Sequence, residues 1–307
     1  MKAVILAGGF GTRLRPLTNR IPKPLVPLLG KPLVMHIIDR LPSCVDEVIM
    51  AVNYRRDDLE EYFQTHDTGV DVTLVDESVP LGTGGALRNL RQHIDDTFLM
   101  FNGDVVSSLD FMSLRRFHEQ KGGIATLSLW EVDDPQAFGV VDLQEDGRIA
   151  LFQEKPAPGE EVSKLINAGV YIFEPEIVQY IPEGHVSLER EVFPHVLDRG
   201  MYGHLFQGFW VDCGTRVSYL RAQQALLHTV HGVSRMCVSP STVHSTELGE
   251  NVFIDAATVL DGTWVENSAI LSGVTVGRGC RIRNSIIGPG ENIKDDADIY
   301  DEIVCSI

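Results

Sequence analysis

No stretch of this chain approaches the ~18 apolar residues that a membrane-spanning helix needs. The N-terminal MKAVILAGG carries one lysine before an apolar run too short for a secretory leader, so neither membrane nor export is expected. Cysteine is scarce: Cys44, Cys213, Cys237, Cys280 and Cys305 are odd in number, scattered and never spaced CxxC. That argues against a disulfide framework or a zinc site and fits a reducing cytoplasm. Basic residues are outnumbered 43 to 26 by acidic ones, and a formal charge of −17 argues against a general nucleic-acid binder. One local absence runs the other way. No acid precedes Asp39, whereas Lys2, Arg13, Arg15, Arg20, Lys23 and Lys31 all do. The N-terminal segment therefore reads as a cationic pocket suited to an anion. What remains is ordinary: 307 residues, 44% hydrophobic and 22% charged, enough for about two soluble domains.

Up to about residue 230, short apolar runs alternate with amphipathic segments, the pattern of an α/β domain. Strands are expected at Lys2–Ala7, Glu47–Val52, Asp71–Asp76, Thr97–Asn102, Ile124–Trp130, Phe138–Asp142, Ile149–Gln153, Ala168–Phe173 and Gly208–Val211. Helices are expected at Pro32–Leu41, Asp57–Gln64, Gly85–Ile94, Phe111–Glu119, Leu188–Leu197 and Arg216–Leu227. Helical periodicity then stops. Aliphatic residues recur six apart in three triplets: Leu248, Ile254, Leu260; Ile270, Val276, Ile282; Ile287, Ile293, Ile299. That period predicts a parallel β-helix over 232–307, with a loop or phase slip between Leu260 and Ile270. The expected division is thus 1–231 and 232–307.

The chemistry concentrates in Leu6-Ala7-Gly8-Gly9-Phe10-Gly11-Thr12-Arg13-Leu14-Arg15-Pro16-Leu17-Thr18, followed by Pro22-Lys23-Pro24-Leu25. A buried strand runs into a glycine-rich loop at the carboxyl edge of a sheet, where ligands of open α/β sheets bind. Glycines let backbone N–H groups approach phosphate oxygens. The run is neither a GxxxxGK[ST] phosphate loop nor a GxGxxG dinucleotide fingerprint, since Thr12, Arg13 and Leu14 follow Gly11.

GGFGTRLRPLT with PKPL resembles the signature of the NDP-sugar pyrophosphorylase family, which joins a nucleoside triphosphate to a sugar 1-phosphate. Further matching motifs follow in family order: Pro80–Ala86 (PLGTGGA), Asn102-Gly103-Asp104, Phe138–Val141 (FGVV), Glu154-Lys155-Pro156, Ile166–Gly169 (INAG) and Phe209–Asp212 (FWVD). The resemblance covers roughly 1–230. It implies a Rossmann-like nucleotidyltransferase domain with a mixed sheet, and the hexads add a short C-terminal β-helix of the left-handed kind.

The resemblance places Arg13 and Lys23 on the triphosphate, with Leu6, Gly8, Gly9, Gly11, Thr12, Glu77, Pro80, Gly82 and Thr83 around the nucleotide. It places Lys155 on the sugar phosphate, and Gly139, Glu154 and Asn167 on the sugar. Asp104 and Asp212, each an acid at the end of an apolar run, stand at the family's Mg²⁺ positions. A hard divalent cation held by carboxylates would lower the charge on the reacting phosphate. The sugar phosphate is itself the nucleophile, so positioning and charge neutralisation carry the reaction, and neither Cys213 nor His195 receives a role.

PLGT followed by small residues, and Ser187–Pro194 (SLEREVFP), resemble the mannose-1-phosphate guanylyltransferase branch. Glu77 could accept the N1–H and N2–H₂ edge of guanine, or could merely end a strand. Thymidylyl-, uridylyl- and adenylyl-transferring relatives share the catalytic residues and remain open, as does a non-catalytic sugar-nucleotide sensor. A second, acyl-transferring activity would need a longer β-helix than this one. Self-association into a homo-oligomer is the expected use of the hexads.

Overall fold

Lys2–Leu6 (KAVIL) buries its three central residues completely, which a strand can do only with neighbours on both sides and layers on both faces. It forms β1, in the middle of a nine-stranded mixed sheet. Parallel partners are β2 (Glu47–Val52) beside β1, β3 (Asp71–Asp76) beyond β2, and β4 (Phe98–Asn102) on the other flank of β1. Helices α1 (Arg56–Thr65) and α2 (Gly82–Asn89) make the crossovers that parallel pairing requires. Leu6 pairs with both Ala51 and Asn102, and Val52 with Asp76. The carboxyl ends are therefore level, and the segments leaving them share one edge. Helix α3 (Phe111–Lys121), capped by the Asp110 carboxylate on Met112 N–H at 2.9 Å, leads to β5 (Ala125–Glu131).

The antiparallel half comprises β6 (Gly139–Leu143), β7 (Ile149–Glu154) and the long β8 (Leu165–Phe173), with β9 (Met201–Leu205) parallel to β5 at an edge. Strand β8 pairs with β4, β5 and β6. It manages this through a bulge: Asn167 faces Leu129 and Tyr171 faces Leu127, so β8 spends two extra residues there. The structure, a computed structural model, describes residues 1–238 and 240–306. Its two compact units are Met1–Gly9 with Ile37–Trp210, and Phe10–His36 with Val211 onward.

Three helical expectations differ. Gly85–Ile94 is replaced by Gly82–Asn89 and a 3₁₀ turn, Arg91–His93. Pro32–Leu41 yields only Met35–Ile38, because Pro27–Leu28 and Lys31–Pro32 pair as a hairpin that uses up the preceding backbone. Leu188–Leu197 breaks into a π-turn (Leu188–Val192), a turn of α-helix (Phe193–Val196) and a 3₁₀ turn (Leu197–Arg199). Pro194 has no N–H for the carbonyl of Arg190, and the Phe193 N–H bonds to Leu188 O instead, the i→i−5 closure of a π-turn. Strand β9 (MYGHL) alternates buried Met201 and Gly203 with half-buried Tyr202 and His204, but its inward residues include a glycine, which gives sequence reading no apolar run to find.

In the second unit the hexads form a three-sided parallel β-helix. Strands stack as 235–238, 252–255, 268–270, 286–287 and 303–304 on the first face, and two four-strand stacks make the others. Trp264, Arg281 and Asp298 stack in register, a coil of seventeen residues rather than eighteen. Inward positions Val265, Ile282 and Ile299 precede Ile270, Ile287 and Val304 by five residues, and the other corners of those coils take six. The short corners contain Asn267, Asn284 and Asp301 at positive φ, and Asn251, in the six-residue corner stacked before them, also takes φ 51°. Asparagine tolerates that conformation. Its amides also ladder between coils: Asn251 Nδ2 donates to Asn267 Oδ1 at 2.5 Å, and Asn267 Nδ2 to Asn284 Oδ1 at 2.7 Å. The expected phase slip between Leu260 and Ile270 is the five-residue step from Val265 to Ile270, and a second precedes it: fully buried Val259, five after Ile254, is the core residue, and Leu260 is half-buried.

Candidate nucleotide and sugar-phosphate site

At the carboxyl edge of β1, the backbone of Gly8 lies against Glu77, whose Oε1 is 2.8 Å from where a Gly8 Cβ would stand. Glu77 is 8% exposed, and its Oε2 accepts Leu81 N–H at 3.2 Å. Burial pushes its carboxyl above the usual range, and the Leu81 N–H pulls it partly back. Glu77 therefore does not end its strand in solvent. Gly9 is exposed, and among the described residues no heavy atom beyond its chain neighbours comes within 4 Å of its Cβ position. Asp104, half-buried, follows β4 at the same edge, where Gly103 N–H bonds Leu6 O at 3.0 Å.

PLGTGGA opens α2, and its glycines answer a packing need. Gly82 has φ 72°, and a Cβ there would stand 2.5 Å from Val186 O. The Gly84 N–H also bonds Val186 O, at 2.8 Å. The Thr83 hydroxyl donates to Glu189 Oε2 at 2.7 Å and accepts Leu188 N–H at 2.9 Å. Pro80 is exposed on the loop before α2.

The residues that the resemblance assigns to the sugar end come together. Glu154 closes β7, and its Oε2 lies 3.0 Å from the Cβ position of Gly139 on β6. Lys155 Nζ lies 3.5 Å from Glu154 Oε1. Lys155 takes φ 51°, not the extended backbone that Pro156 favours before it, a strained placement of the kind kept at functional sites. Asn167, on the flank of the β8 bulge, donates through Nδ2 to Tyr171 OH at 2.8 Å and accepts Gly169 N–H at 3.2 Å. Burial raises the Glu154 carboxyl, Glu189 adds to the rise, and Lys155 and Arg190 counter it. The fully buried Tyr171 phenol is raised well above its usual value, by burial first and then by Glu189, while Asn167 and Asn102 bond to it.

Sequence reading missed Glu189, Tyr171 and Trp210 here. Glu189 sits on the π-turn, anchored by Thr83 and by Ser187 Oγ at 2.7 Å. Trp210 donates Nε1–H to Ala168 O at 2.8 Å and packs edge-on against Phe138. SLEREVFP and FWVD marked both segments, but only as resemblances.

The second unit carries Gly11, Thr12, Arg13, Lys23 and Asp212. Gly11, at φ 61°, has no room for a side chain: Thr18 Cγ2 stands 2.9 Å and Lys23 Cβ 3.2 Å from its Cβ position. The Thr18 hydroxyl clamps Gly11 O at 2.8 Å, and the 3₁₀ turns Thr12–Leu14 and Lys23–Leu25 flank this crossing. Arg13 and Asp212 both reach Gly214, where a Cβ would meet Arg13 Nη2 and lie 2.8 Å from Asp212 Oδ1. That cradle, kept open by glycine beside a half-buried carboxylate, fits a hard cation and its phosphate partner. Among the described residues no three His, Cys, Asp or Glu gather as a metal cluster, and the resemblance implies two carboxylates. Lys2 leaves the cationic set: its Nζ bonds His93 O at 2.6 Å and pairs with Asp95 at 3.3 Å. Cys213 is buried and His195 exposed on its helix.

A family model described as nucleotidyl transferase matches residues 2–229, and one described as GlmU-like, C-terminal hexapeptide matches 224–302. Mannose-1-phosphate guanylyltransferase of Mycobacterium tuberculosis is 37% identical over 98% of this chain and 80% of its own. The Dictyostelium discoideum mannose-1-phosphate guanylyltransferase catalytic subunit beta is 37% identical over 96% of this chain and 93% of its own. The crystal structure of HddC from Yersinia pseudotuberculosis complexed with GMP-PN superposes with a TM-score of 0.60 at 29% identity, covering 72% of this chain and 97% of that one. Among the described residues no helix is long and apolar enough to cross a membrane. With the glycine-rich loop, the strand-end acids and the Glu154–Lys155 pair in these places, the chain belongs to the nucleotidyl transferase family.

Proposed function

We propose that this protein is a mannose-1-phosphate guanylyltransferase, forming GDP-mannose and pyrophosphate from GTP and mannose 1-phosphate. The observation that carries the reading is the near-full-length similarity to two proteins of that name, spanning the loop, both acids and the hexads. Glu77 supports the guanine assignment. Its buried carboxylate beside Gly8 is suited to guanine, whose N1–H and N2–H₂ are two adjacent donors that one carboxylate accepts together and that no other base presents side by side.

In this reading Arg13 and Lys23 neutralise the leaving pyrophosphate, and the backbone from Leu6 to Thr12 accommodates the nucleotide. Lys155 holds the sugar phosphate, whose oxygen attacks the α-phosphorus in line. Glu154, Glu189 and Asn167 accept or donate to sugar hydroxyls and orient the ring. Asp104 and Asp212 would hold Mg²⁺, which when bound supplies charge neutralisation at the phosphates. We also propose a cytoplasmic setting, which five scattered cysteines without a disulfide suit, and self-association through the β-helix. Incubation of the purified chain with GTP, mannose 1-phosphate and Mg²⁺ tests the reading. GDP-mannose and pyrophosphate should appear in equal amounts, and ligand binding without turnover would make the chain a sensor instead.

A further inference from the structure

Strands of the β-helix alternate inward and outward. On the first face Ile254, Ile270 and Ile287 point into the coil, so Phe253, Ala269 and Ile286 point out of it. All three outward residues are nonetheless 0% exposed. Part of their cover is the segment bearing the phosphate loop: at Gly30, in the hairpin after Lys23, a Cβ would stand 3.6 Å from Phe253 Cζ. Helix α4 (Arg216–Thr229), which follows Asp212, is tied to the asparagine corners. Gln223 Nε2 donates to Asn251 O at 2.9 Å and Ser268 O at 3.2 Å, and Asn251 Nδ2 returns a bond to Leu220 O at 2.9 Å. The buried Tyr219 hydroxyl on the same helix reaches Pro27 O at 2.5 Å.

At the far end, Arg20 closes the turn Leu17–Arg20, whose Thr18 clamps Gly11. Its Nη1 donates to Pro289 O at 3.3 Å and lies 3.8 Å from Glu291 Oε1. Glu291 is 8% exposed and is held from behind by Ser306, through N–H at 2.5 Å and Oγ–H at 2.8 Å. A segment built from one-turn helices and a two-residue hairpin has little stability of its own.

We propose that the β-helix belongs to the catalytic apparatus: its outer first face and the Glu291 carboxylate hold the segment 10–36 in its triphosphate-binding shape, and Arg20 is the positioning residue that links them. This rests on the nucleotidyltransferase reading and departs from the expectation that the hexads serve assembly alone. Arg20 carries no phosphate contact in that reading and acts through Arg13 and Lys23.

The test uses the full chain with Arg20→Met, Arg20→Lys, Glu291→Gln and the Arg20→Met/Glu291→Gln double variant. The Arg20 side of the pair is 45% exposed and its charges lie 3.8 Å apart, so the effect is modest: Arg20→Met should raise the KM for the nucleoside triphosphate about five- to tenfold. The KM for sugar phosphate and the kcat at saturation should stay within about twofold. Arg20→Lys should recover most of the loss, and the double variant should be no worse than the poorer single one. An unchanged triphosphate KM, or both KM values rising together as general loosening would give, overturns the proposal. Calorimetric GTP binding separates the two readings. Binding without turnover that weakens in Arg20→Met would sink the enzyme assignment and keep this one; turnover with an indifferent Arg20 does the reverse.

Discussion

Thr83→Val keeps the side-chain volume and removes one hydroxyl, and the structure fixes what that hydroxyl does. It donates to Glu189 Oε2 at 2.7 Å and accepts Leu188 N–H at 2.9 Å, so one atom pins the start of α2 to the π-turn. Removing the acceptor strands a part-buried N–H, and removing the donor takes a charge-assisted bond from a carboxylate that keeps Ser187 Oγ as its other partner. Each loss is worth roughly 1–3 kcal/mol, and the remaining Ser187 bond softens the second, so about 2–4 kcal/mol of stability should go. For a unit of this size the melting temperature should fall by about 4–16 °C. Glu189 loses one of its two anchors beside Glu154, so the KM for mannose 1-phosphate should rise several-fold while that for GTP stays close to native. Thermal melts and two-substrate kinetics read both quantities. A variant that melts like the parent but loses GTP affinity would refute this account, because Thr83 would then serve the nucleotide directly.

Asp104→Asn and Asp212→Asn should each lower kcat by a factor on the order of 10² while leaving the melt intact, because an amide keeps the shape without the charge that holds a hard cation. The double variant should be little worse than either single one, and multiplying losses would mean the acids serve different ions. Lys155→Ala should weaken sugar-phosphate use, and Arg13→Ala or Lys23→Ala should weaken triphosphate use, each by about 10- to 150-fold. Identical KM profiles for the three would end that division. Glu77 gives a pH signature. Burial raises its folded pKa above the ordinary 4.5, so its contribution to stability is full below that value and is lost as pH rises through the folded pKa. Glu77→Gln, which keeps an acceptor for Leu81 N–H, should therefore gain stability over the parent at pH 7.5 and match it near pH 4.5. A pH-independent difference in melting temperature would contradict this.

The parallel half of the sheet was legible in the sequence because buried strands such as KAVIL and FLMFN are short apolar runs that end in chemistry: Gly8 after one, Asp104 after the other. The coil was legible as a six-residue period, though not its seventeen-residue length. That depends on left-handed asparagines at the corners, which periodicity in aliphatic residues cannot register. Glu189 was hidden because a π-turn has no sequence period of its own; Pro194, four residues after Arg190, was the available signal. The resemblance puts Gly82 of PLGTGGA around the nucleotide, and in the structure its Cβ position faces Val186 O. Lys2 looked like part of the cationic pocket, and the acids that claim it come 45 and 93 residues later. Contacts of that span follow from topology and lie beyond any local reading.

The central claim is tested most directly by measuring pyrophosphate release for ATP, GTP, CTP, UTP and dTTP, each against mannose, glucose and N-acetylglucosamine 1-phosphates with Mg²⁺. The highest kcat/KM is expected for GTP with mannose 1-phosphate, and a preference for dTTP or UTP would contradict the role given to Glu77. Release of no pyrophosphate from any pair would contradict the enzyme itself.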